Sequence, residues 1–486
     1  MRHYYSADVI RAAEAPLLAS QPEGALMRRA AYGLARVIAD ELRQRTGGVN
    51  GRQVCAVVGS GDNGGDALWA ATFLRGRGVQ ATAVLLEPER AHVAALTAFV
   101  RAGGRVQQNI PATTDLVIDG VIGISGRGAL RPDAAAVFEA SAAPVIAVDI
   151  PSGIDTHTGA ADGPHVDAAV TVTFGGLKPV HALADCGRVE LIEIGLDLPP
   201  AEVVSLEADD VASRWPIPGR HDDKYTQGVT GLLAGSATYP GAAILSTGAA
   251  VAATSGMVRY AGSASHEVVT HWPEIVAAPD IESVGRVQAW VVGPGLGTDE
   301  SAATALRFAL SSDLPVVVDA DGLTLLAAAP ALVADRTAPT VLTPHAGEYR
   351  RLAGADVGSD RVGAARTLAE TLGVTVLLKG NVTVIASPGA SEATGNLPRV
   401  TYLSPAGQSW AATAGSGDIL SGVIGAVLAA GIPAAEAAAM AAFVHARAAG
   451  LAAADPGPHT APTSAGGILA HLRAAIASLY RKGLDT

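Results

Sequence analysis

Cysteine is nearly absent from this sequence, which has only two, Cys55 and Cys186, among 486 residues. A disulfide framework is therefore not indicated, and a reducing cytoplasm is the expected location. No long apolar run follows Met1, so a secretory signal peptide is not expected. The Ala-rich stretch 419–454 contains acidic, histidine and arginine side chains, and it predicts packed helices, not a membrane span.

Charged residues are also few, at 16% of the chain, and aromatic residues make up only 4%. Low charge together with 49% hydrophobic residues excludes the composition of a disordered chain. With so few aromatics, the core must consist of Val, Leu, Ile and Ala, which suits closely packed βα units. The net charge of -12 argues against nucleic acid or an anionic membrane as the partner. It does not exclude phosphate ligands, because backbone amides bind anions without positive side chains.

The length predicts two or three domains, because one core rarely serves so long a chain. Short Val-rich runs alternate with helical stretches, which is typical of parallel sheets covered on both faces. Two series of runs are separated by Leu198–Pro200 and the polar stretch 216–226, so we expect domains 1–205 and 206–486. A leading helix is expected over Ser6–Ala19. The predicted strands are Val54–Val58, Ala81–Leu86, Asp115–Asp119, Val145–Asp149 and Ala169–Phe174, then Gly231–Ala234, Ala289–Val292, Val316–Asp319, Thr340–Leu342 and Thr375–Leu378.

A Gly-rich turn follows the first predicted strand, with the sequence Gly59-Ser-Gly-Asp-Asn-Gly-Gly-Asp66 and a helix expected from about Ala67. Such a strand-to-helix turn directs backbone N–H groups at an anion. The turn lacks the Gly-Lys-Ser/Thr ending of a phosphate-binding P-loop and does not match the common dinucleotide fingerprint. A plain tight turn is the alternative, and the two Asp and one Asn within the turn favour a ligand site.

Two further strand ends carry acidic residues, Asp119 and Asp149, and the second of them opens a turn that contains Ser152. Ligands of parallel sheets bind at the carboxyl ends of the strands. We therefore expect Asn63, Asp119 and either Asp149 or Ser152 to place oxygen atoms around one point. Oxygen ligands suit a hard cation. The alternative for each Asp taken alone is a helix cap.

These segments resemble, in matching order, the NAD(P)HX epimerase family over most of residues 1–200. The motifs are Val58-Gly-Ser-Gly-Asp-Asn-Gly-Gly-Asp66, Asp115-Leu-Val-Ile-Asp-Gly-Val-Ile-Gly123, Val148-Asp-Ile-Pro-Ser-Gly153 and Thr173-Phe-Gly-Gly-Leu-Lys-Pro179. The resemblance implies a Rossmann-like three-layer sandwich. It also implies that the domain interconverts the R and S epimers of hydrated NADH and NADPH.

The resemblance further implies a potassium ion held by Asn63, Asp119 and Ser152. One charge among neutral oxygens is too little for Ca²⁺ and lacks the contacts of Mg²⁺, so K⁺ is expected, with Na⁺ as the alternative. Asp149 is expected to contact the hydrated nicotinamide and to be catalytic. The implied substrate-binding residues lie on two loops and are Asp62, Asn63, Gly64, Gly65, Asp66, Gly123, Ile124, Ser125, Gly126, Arg127, Gly128 and Ala129.

The sequence departs from this family at two places. Ala67 stands where members usually have Gly, and the loop Gly123–Gly128 differs from the commoner Gly-Thr-Gly pattern. If the methyl group of Ala67 hinders the approach of a phosphate, the domain would bind without epimerising. Lys178 is expected to be a second proton-transfer group, a phosphate contact or a solvated strand-end lysine.

A second Gly-rich segment, Ala412-Thr-Ala-Gly-Ser-Gly-Asp-Ile-Leu-Ser-Gly422, precedes a long apolar helix. Small residues and free amides at a helix start can stabilise a transferring phosphoryl group. Asp418, on the first turn, can accept a proton from an attacking hydroxyl. After a strand-rich stretch, this combination predicts a ribokinase-like α/β domain.

The second half resembles the ADP-dependent NAD(P)HX dehydratase family over roughly residues 207–475. In order, the motifs are Gly-Pro-Gly-Leu-Gly297, Asp-Ala-Asp321, Leu-Thr-Pro-His-Ala-Gly-Glu348, Leu-Lys379-Gly and Gly-Ser-Gly-Asp418. The residues implied to contact the hydrated nucleotide are Ala243, Gly297, His345 and Asp418. Those implied to hold ADP are Lys379, Gly380, Asn381, Val382, Thr383, Gln408, Thr413, Ala414, Gly415, Ser416 and Gly417.

The resemblance implies that S-NAD(P)HX is dehydrated at the expense of ADP, giving NAD(P)H, AMP and phosphate. Asp418 is expected to be the catalytic base, and Mg²⁺ is expected on the ADP phosphates. A departure at His221-Asp-Asp-Lys224 leaves the nucleotide motifs untouched. The alternative is a ribokinase-type small-molecule kinase fused to a binding or inactive epimerase-like domain. The family resemblance also leads us to expect a homo-oligomer.

Overall fold

The chain forms two compact units in a computed structural model that describes residues 1–123, 126, 128–254, 256–389 and 400–480. One unit is His3–Val203, and the other begins at Val204 and includes Met1–Arg2.

The first unit is built on a parallel sheet with the strand order β4-β3-β2-β5-β6-β7-β8 in the described part of the chain. The order reverses between β2 and β5, where open parallel sheets bind ligands. The elements up to residue 192 are β1 (Arg2–Tyr4), α1 (Ala7–Ser20), α2 (Ala25–Thr46), β2 (Gln53–Val58), α3 (Asp62–Arg75), β3 (Gln80–Leu85), α4 (Val93–Arg101), β4 (Arg105–Gln107), β5 (Leu116–Gly120), α5 (Pro132–Glu139), β6 (Val145–Val148), β7 (Ala168–Phe174), α6 (Val180–Leu183) and β8 (Arg188–Ile192).

Both faces of this sheet are covered, because alternate side chains of β2 enter different cores. Val54, Ala56 and Val58 pack in a core with the buried sides of α2 and α3. Cys55 and Val57 face the other way, into a smaller core that includes side chains of α5. Side chains alternate along a strand, so a strand buried on both faces reads as one apolar run. The predicted three-layer α/β sandwich is confirmed.

The second unit is also a largely parallel α/β sheet, and an antiparallel extension β16-β17-β18 leads to β9. From β9 the strand order is β9-β18-β17-β16-β15-β14-β13-β10-β11-β12. Its elements are β9 (Val203–Ser205), α7 (Ala208–Arg214), β10 (Val229–Leu233), α8 (Pro240–Ala253), β11 (Met257–Ala261), α9 (Ser265–His271), β12 (Val276–Ala278), β13 (Ala289–Val292), α10 (Glu300–Ser311), β14 (Val316–Val318), α11 (Asp321–Ala328), β15 (Thr340–Leu342), α12 (Ala346–Ala353), α13 (Arg361–Leu372), β16 (Thr375–Leu378), β17 (Val382–Ala386), β18 (Thr401–Pro405), α14 (Ser416–Ala429), α15 (Ala434–Ala454) and α16 (Ala465–Ala477).

Helices cover both faces of this sheet as well. Val291 packs in the main core with α8, α14 and α15. Its neighbour Trp290 points to the other face. There its ring packs edge-on against the ring of Phe308 in α10, with the ring centroids 5.6 Å apart. The helix Ala434–Ala454 is the one described helix long and apolar enough to cross a membrane, and 67% of its most apolar window is buried inside the fold. Such burial is typical of a core helix.

Close helix packing explains the abundance of Ala and Gly. A Cβ atom added at Gly422 of α14 would lie 2.2 Å from the carbonyl oxygen of Ser246 in α8. The two helix backbones therefore touch at a point where only glycine fits.

We expect Gly422→Ala to destabilise the second unit by about 1–3 kcal/mol, because the backbone of α8 must move to admit the methyl group. Gly450→Ala in α15 is the matched control, since a Cβ atom there meets nothing within 4 Å. That variant should be neutral or slightly stabilising, because alanine favours helix. Thermal unfolding measures both. Equal melting temperatures for the two variants would contradict this account of the helix contact.

Candidate functional site

The Gly-rich turn of the first unit places the start of α3 against the end of β5. The helix begins at Asp62, earlier than the predicted start near Ala67. A Cβ atom at Gly59 would lie 2.2 Å from the carbonyl oxygen of Val121. Only glycine allows this approach, so the turn brings the free amides of the first turn of α3 to the carboxyl edge of the sheet.

The methyl group of Ala67 packs against the end of β5. Ala67 is fully buried. Its Cβ lies 2.6 Å from the position that a Cβ atom at Gly120 of β5 would take. The side chain therefore fills the contact between α3 and the sheet, and it does not narrow the space beside the turn. The buried position of Ala67 gives no support to the expectation of an inactive domain, which stays a prediction.

The three predicted metal ligands lie in one connected group. The carboxylate of Asp119 is fully buried and accepts hydrogen bonds from Ser152 Oγ at 2.7 Å and Ser152 N at 2.8 Å. Ile122 joins the third ligand to them, since its N–H donates to Ser152 Oγ at 3.0 Å and its carbonyl accepts from Asn63 Nδ2 at 2.9 Å. The carbonyl of Val148 accepts from the same amide at 2.6 Å.

This group offers oxygen atoms but little compensating charge. Burial raises the pKa of Asp119 to about 6, although the hydrogen bonds from Ser152 and Val121 oppose it. Among the described residues, no three His, Cys, Asp or Glu side chains stand together as a metal cluster. One carboxylate, a hydroxyl and nearby carbonyls therefore fit a monovalent cation better than a divalent one.

The second loop of the predicted substrate site is described only in part. Ile124, Ser125 and Arg127 lie outside the described residues. Gly123 is packed on the predicted metal ligand Asn63, because a Cβ atom there would lie 2.5 Å from Asn63 Oδ1. Gly126 donates its N–H to the Gly123 carbonyl at 2.7 Å, whereas Gly128 and Ala129 are exposed.

Asp149 is held by a buried polar cluster. Its φ angle is +68°, in the left-handed region that few residues other than glycine adopt, although Asp and Asn are enriched there. Its Oδ1 accepts hydrogen bonds from Lys178 Nζ and, at 2.8 Å, from Thr173 Oγ1. Lys178 is only 3% exposed, so the expectation of a solvated lysine is wrong.

Histidine and lysine fix the charge state of this cluster. His181 Nδ1 accepts from the N–H of Lys178 at 2.9 Å, so Nε2 carries the proton and donates to the carbonyl of Asp149 at 2.8 Å. Burial and the charge of Lys178 lower the pKa of His181 to about 4. Burial raises the pKa of Asp149, but the ammonium of Lys178 outweighs it and holds that pKa below its usual value. Asp149 is therefore an ionised carboxylate at neutral pH.

In the second unit, the start of α14 forms one wall of a cavity of about 640 Å³, which we call the Asp418 cavity. Gly415 caps the helix in the left-handed conformation, with φ +84°. The cap turns the amides at the helix start toward the cavity, where anions are stabilised. The predicted site residues that line the cavity are His345, Lys379, Gly380, Asn381, Thr383, Thr413, Ala414, Gly415, Ser416, Gly417 and Asp418.

Four predicted ligand residues do not line this cavity. Val382 begins β17 with its side chain in the core, and Gln408 is exposed. Ala243 is fully buried, and its methyl group packs against Gly235. The N–H of Gly297 donates to Asp321 Oδ2 at 2.8 Å, and neither residue lines the cavity. Their contacts with ligands stay predictions.

A partly buried ion pair lies beside Asp418. Lys379 Nζ donates to Asp319 Oδ1 at 2.8 Å and lies 3.7 Å from Glu348 Oε2, while Ser421 Oγ donates to Asp319 Oδ2 at 2.6 Å. Burial lowers the pKa of Lys379, but Asp319 and Glu348 hold it above the usual value. The lysine is therefore charged, and its first partner is a protein carboxylate.

These charges set the acidity of Asp418. Burial and the charge of Asp319 raise its pKa to about 7, against the opposing charge of Lys379. A carboxyl group with this pKa is part ionised at neutral pH, as a general base requires.

Sequence reasoning missed two members of this site. Asp319 stands in the Asp-Ala-Asp321 motif, but its pairing with Lys379 could not be read from the motif. His445, on α15, is buried, and its Nε2 lies 3.0 Å from both the hydroxyl and the carbonyl oxygen of Ser416. Because a carbonyl only accepts, Nε2 carries the proton, and His445 supports the first residue of α14.

The His345 side chain has a structural role at the cavity edge. Its Nδ1 accepts from the N–H groups of Gly347 at 2.9 Å and Glu348 at 3.2 Å, which caps α12. In turn, Glu348 Oε2 accepts a hydrogen bond from the N–H of His345 at 2.8 Å, which completes a capping box. The other ring nitrogen, Nε2, lies 3.5 Å from Glu348 Oε1.

Fold and site together define an α/β enzyme of two units. The first unit has a carboxylate-lysine cluster at the edge of its sheet, and the second has a helix N-terminus of the kind that binds a transferring phosphoryl group. Residues 230–471 match the family model described as NAD(P)H-hydrate dehydratase, and residues 23–180 match that described as YjeF-related protein N-terminus. The chain belongs to the family of bifunctional NAD(P)H-hydrate repair enzymes. The family predicted from the motifs is confirmed.

Relatives of that name cover most or nearly all of the chain. The protein of Mycobacterium leprae is 69% identical over 482 residues, covering 99% of this chain and 100% of the relative. That of Mycobacterium tuberculosis strain H37Rv is 71% identical over the same span. That of Escherichia coli K12 is 32% identical over 407 residues, covering 78% of this chain and 76% of the relative. A solved ADP/ATP-dependent NAD(P)H-hydrate dehydratase from Bacillus subtilis, co-crystallized with ATP/Mg²⁺, is 28% identical with a TM-score of 0.48 and covers 58% of this chain and 99% of that chain.

Proposed function

We propose that residues 1–205 interconvert the R and S epimers of hydrated NADH and NADPH, and that residues 206–486 dehydrate the S epimer with ADP. The observation that carries the second activity is Asp418, with a pKa of about 7, on the first turn of a helix whose start lines a cavity. A base near neutrality beside an anion site is what phosphoryl transfer to a hydroxyl requires. Family membership supports both activities.

The proposed dehydration has two steps. Asp418 takes the proton of the ring hydroxyl, whose oxygen attacks the terminal phosphorus of ADP, and AMP leaves with the bonding electrons. The amides of Gly415, Ser416 and Gly417 stabilise the transferring phosphoryl group. Phosphate then leaves the ring carbon with its electron pair, and loss of a ring proton restores the double bond of NADH or NADPH.

Mg²⁺ is proposed to accompany ADP in the Asp418 cavity. Mg²⁺ is usually held by substrate phosphates together with one or two carboxylates. The carboxylates beside the cavity are engaged, Asp319 with Lys379 and Glu348 with the backbone of His345, which fits an ion carried mainly by the phosphates. Such an ion neutralises the charge of ADP.

K⁺ is proposed to be held by Asn63, Asp119 and Ser152 in the first domain. Support comes from the uncompensated buried carboxylate of Asp119 and from the backbone carbonyls of Ile122 and Val148 that converge on Asn63. A monovalent cation there supplies the missing positive charge and ties the loops that follow β2, β5 and β6. Asp149 then remains free for proton transfer at the substrate.

One assay tests both activities. The full chain is incubated with racemic hydrated NADH, ADP and Mg²⁺, and the absorbance at 340 nm is followed. Complete recovery of NADH with release of AMP is expected. Recovery that stops at half would show that the first domain does not epimerise. A stable phosphorylated product without recovered absorbance would show that the second domain is a small-molecule kinase and not a dehydratase.

A further inference from the structure

Asp66 is a buried carboxyl group with an unpaired oxygen. It lies in α3, four residues after the first helical residue Asp62, and is 7% exposed, and within the described chain its Oδ1 has no hydrogen-bond partner. Leaving a buried polar atom unpaired costs about 1–3 kcal/mol. Because folded proteins pair nearly all such atoms, an orphan at a ligand edge indicates a contact made only when the ligand is bound.

The charged groups around Asp66 are mostly acidic. Glu14 of α1, Asp62 of α3 and Asp149 after β6 all act on it electrostatically. The hydrogen bonds of the buried Lys178 ammonium go to Asp149 and Thr173. Behind Asp149 stands the neutral His181, and His92 faces the same turn of α3 at Gly65.

Asp66 and Asp149 therefore differ in protonation. Burial and the charges of Asp149, Asp62 and Glu14 raise the pKa of Asp66 well above its usual value. Lys178 holds the pKa of Asp149 low. Two neighbouring carboxyl groups whose environments separate their pKa values form an acid and base pair.

Epimerisation of the hydrate needs such a pair. The hydroxyl-bearing ring carbon is also bonded to the ring nitrogen, so it is a hemiaminal. When a base takes the hydroxyl proton, the C–O bond becomes a carbonyl and the C–N bond breaks. The nitrogen receives the bonding electrons and takes a proton from an acid. Rotation and closure on the other carbonyl face reverse these steps and return both protons.

We propose that Asp66 is the acid of this reaction, protonating the ring nitrogen while Asp149 removes the hydroxyl proton. The inference rests on the proposed epimerase function and deepens it, because it adds the second catalytic group. Each carboxyl group ends the cycle in its starting state, so no further reactant is needed.

Asp66→Asn tests the role in the full chain. Asparagine keeps the shape of the side chain but carries no acidic proton, so kcat of epimerisation should fall by at least about a hundredfold. KM should change little, since the amide can still meet the substrate. The matched control is Glu89→Gln, which removes the charge of an exposed carboxylate in the same unit and should keep the wild-type rate. Dehydration of pure S epimer by the same samples reports whether the chain is intact.

The pH profile separates catalysis from a structural role. A required acid makes the wild-type epimerisation rate fall as pH rises through the raised pKa of Asp66. The residual activity of Asp66→Asn should lack this alkaline fall, and Asp66→Glu should retain it. A wild-type rate in Asp66→Asn, or the same alkaline fall at a lower rate, would overturn the inference. An active Asp149→Asn would instead remove Asp149 as the base, whereas a wild-type chain that does not epimerise at all would overturn the proposed function on which the inference rests.

Discussion

Asp418→Asn is expected to lower kcat of the dehydratase by at least about a hundredfold, which corresponds to about 2.7 kcal/mol of transition-state stabilisation. Asparagine preserves the shape of the first turn of α14 but cannot accept the proton of the ring hydroxyl. The amides of Gly415 to Gly417 remain, so the affinity for ADP should stay close to that of the wild type. Single-turnover dehydration of S-NADHX and calorimetric titration with ADP measure the two effects.

The pH dependence sharpens this prediction. Because the pKa of Asp418 is raised to about 7, the fraction ionised grows as pH rises through that value. Wild-type dehydration should therefore increase from pH 6 to pH 8 and then level, and the residual activity of Asp418→Asn should lack this rise. The control Asp313→Asn, which removes the charge of an exposed carboxylate in the same unit, should keep the wild-type pH profile. A normal rate in Asp418→Asn would remove Asp418 as the base.

Most central strands could be predicted from the sequence because they are buried on both faces. Val54–Val58 and Thr375–Leu378 were predicted as apolar runs, and the structure has strands at Gln53–Val58 and Thr375–Leu378. The strands Val382–Ala386 and Thr401–Pro405 were not predicted, and both belong to the antiparallel extension. Thr401–Pro405 alternates buried and partly exposed side chains, so it lacks a continuous apolar run. Val382–Ala386 is mostly buried, and its apolar sequence was missed because it directly follows the Leu-Lys379-Gly motif.

The motifs indicated which residues gather at the strand ends, but not how they pair. Lys178 had three possible roles from sequence, and neither its burial against Asp149 nor the left-handed backbone of Asp149 shows in the motif. His445 and Ser416 are 29 positions apart, and the histidine stands in an Ala-rich helix that shows no motif. Only the packing of α15 against α14 brings the two together. Pair contacts of this kind are set by tertiary structure, which local patterns do not contain.

Asp149→Asn is expected to abolish epimerisation by the first domain, with a loss of at least about a hundredfold. The amide cannot take the proton of the ring hydroxyl. Asparagine is the suitable replacement because it also tolerates the positive φ angle that Asp149 adopts. Racemic hydrated NADH should then be consumed to half at the normal rate, while the remaining half recovers only as fast as the R epimer converts without catalysis.

Stability must be separated from catalysis in this variant, because the change leaves Lys178 buried without its carboxylate. Removing one partner of a buried ion pair costs about 3–5 kcal/mol. The double variant Asp149→Asn with Lys178→Met removes both charges and should recover most of the stability, as thermal unfolding would show. If Asp149 is the base, the double variant remains inactive in epimerisation although it is folded. K⁺ should remain bound in the single variant, because its proposed ligands are Asn63, Asp119 and Ser152. Recovery of epimerisation in the stabilised double variant would show that Asp149 acts only by balancing the charge of Lys178.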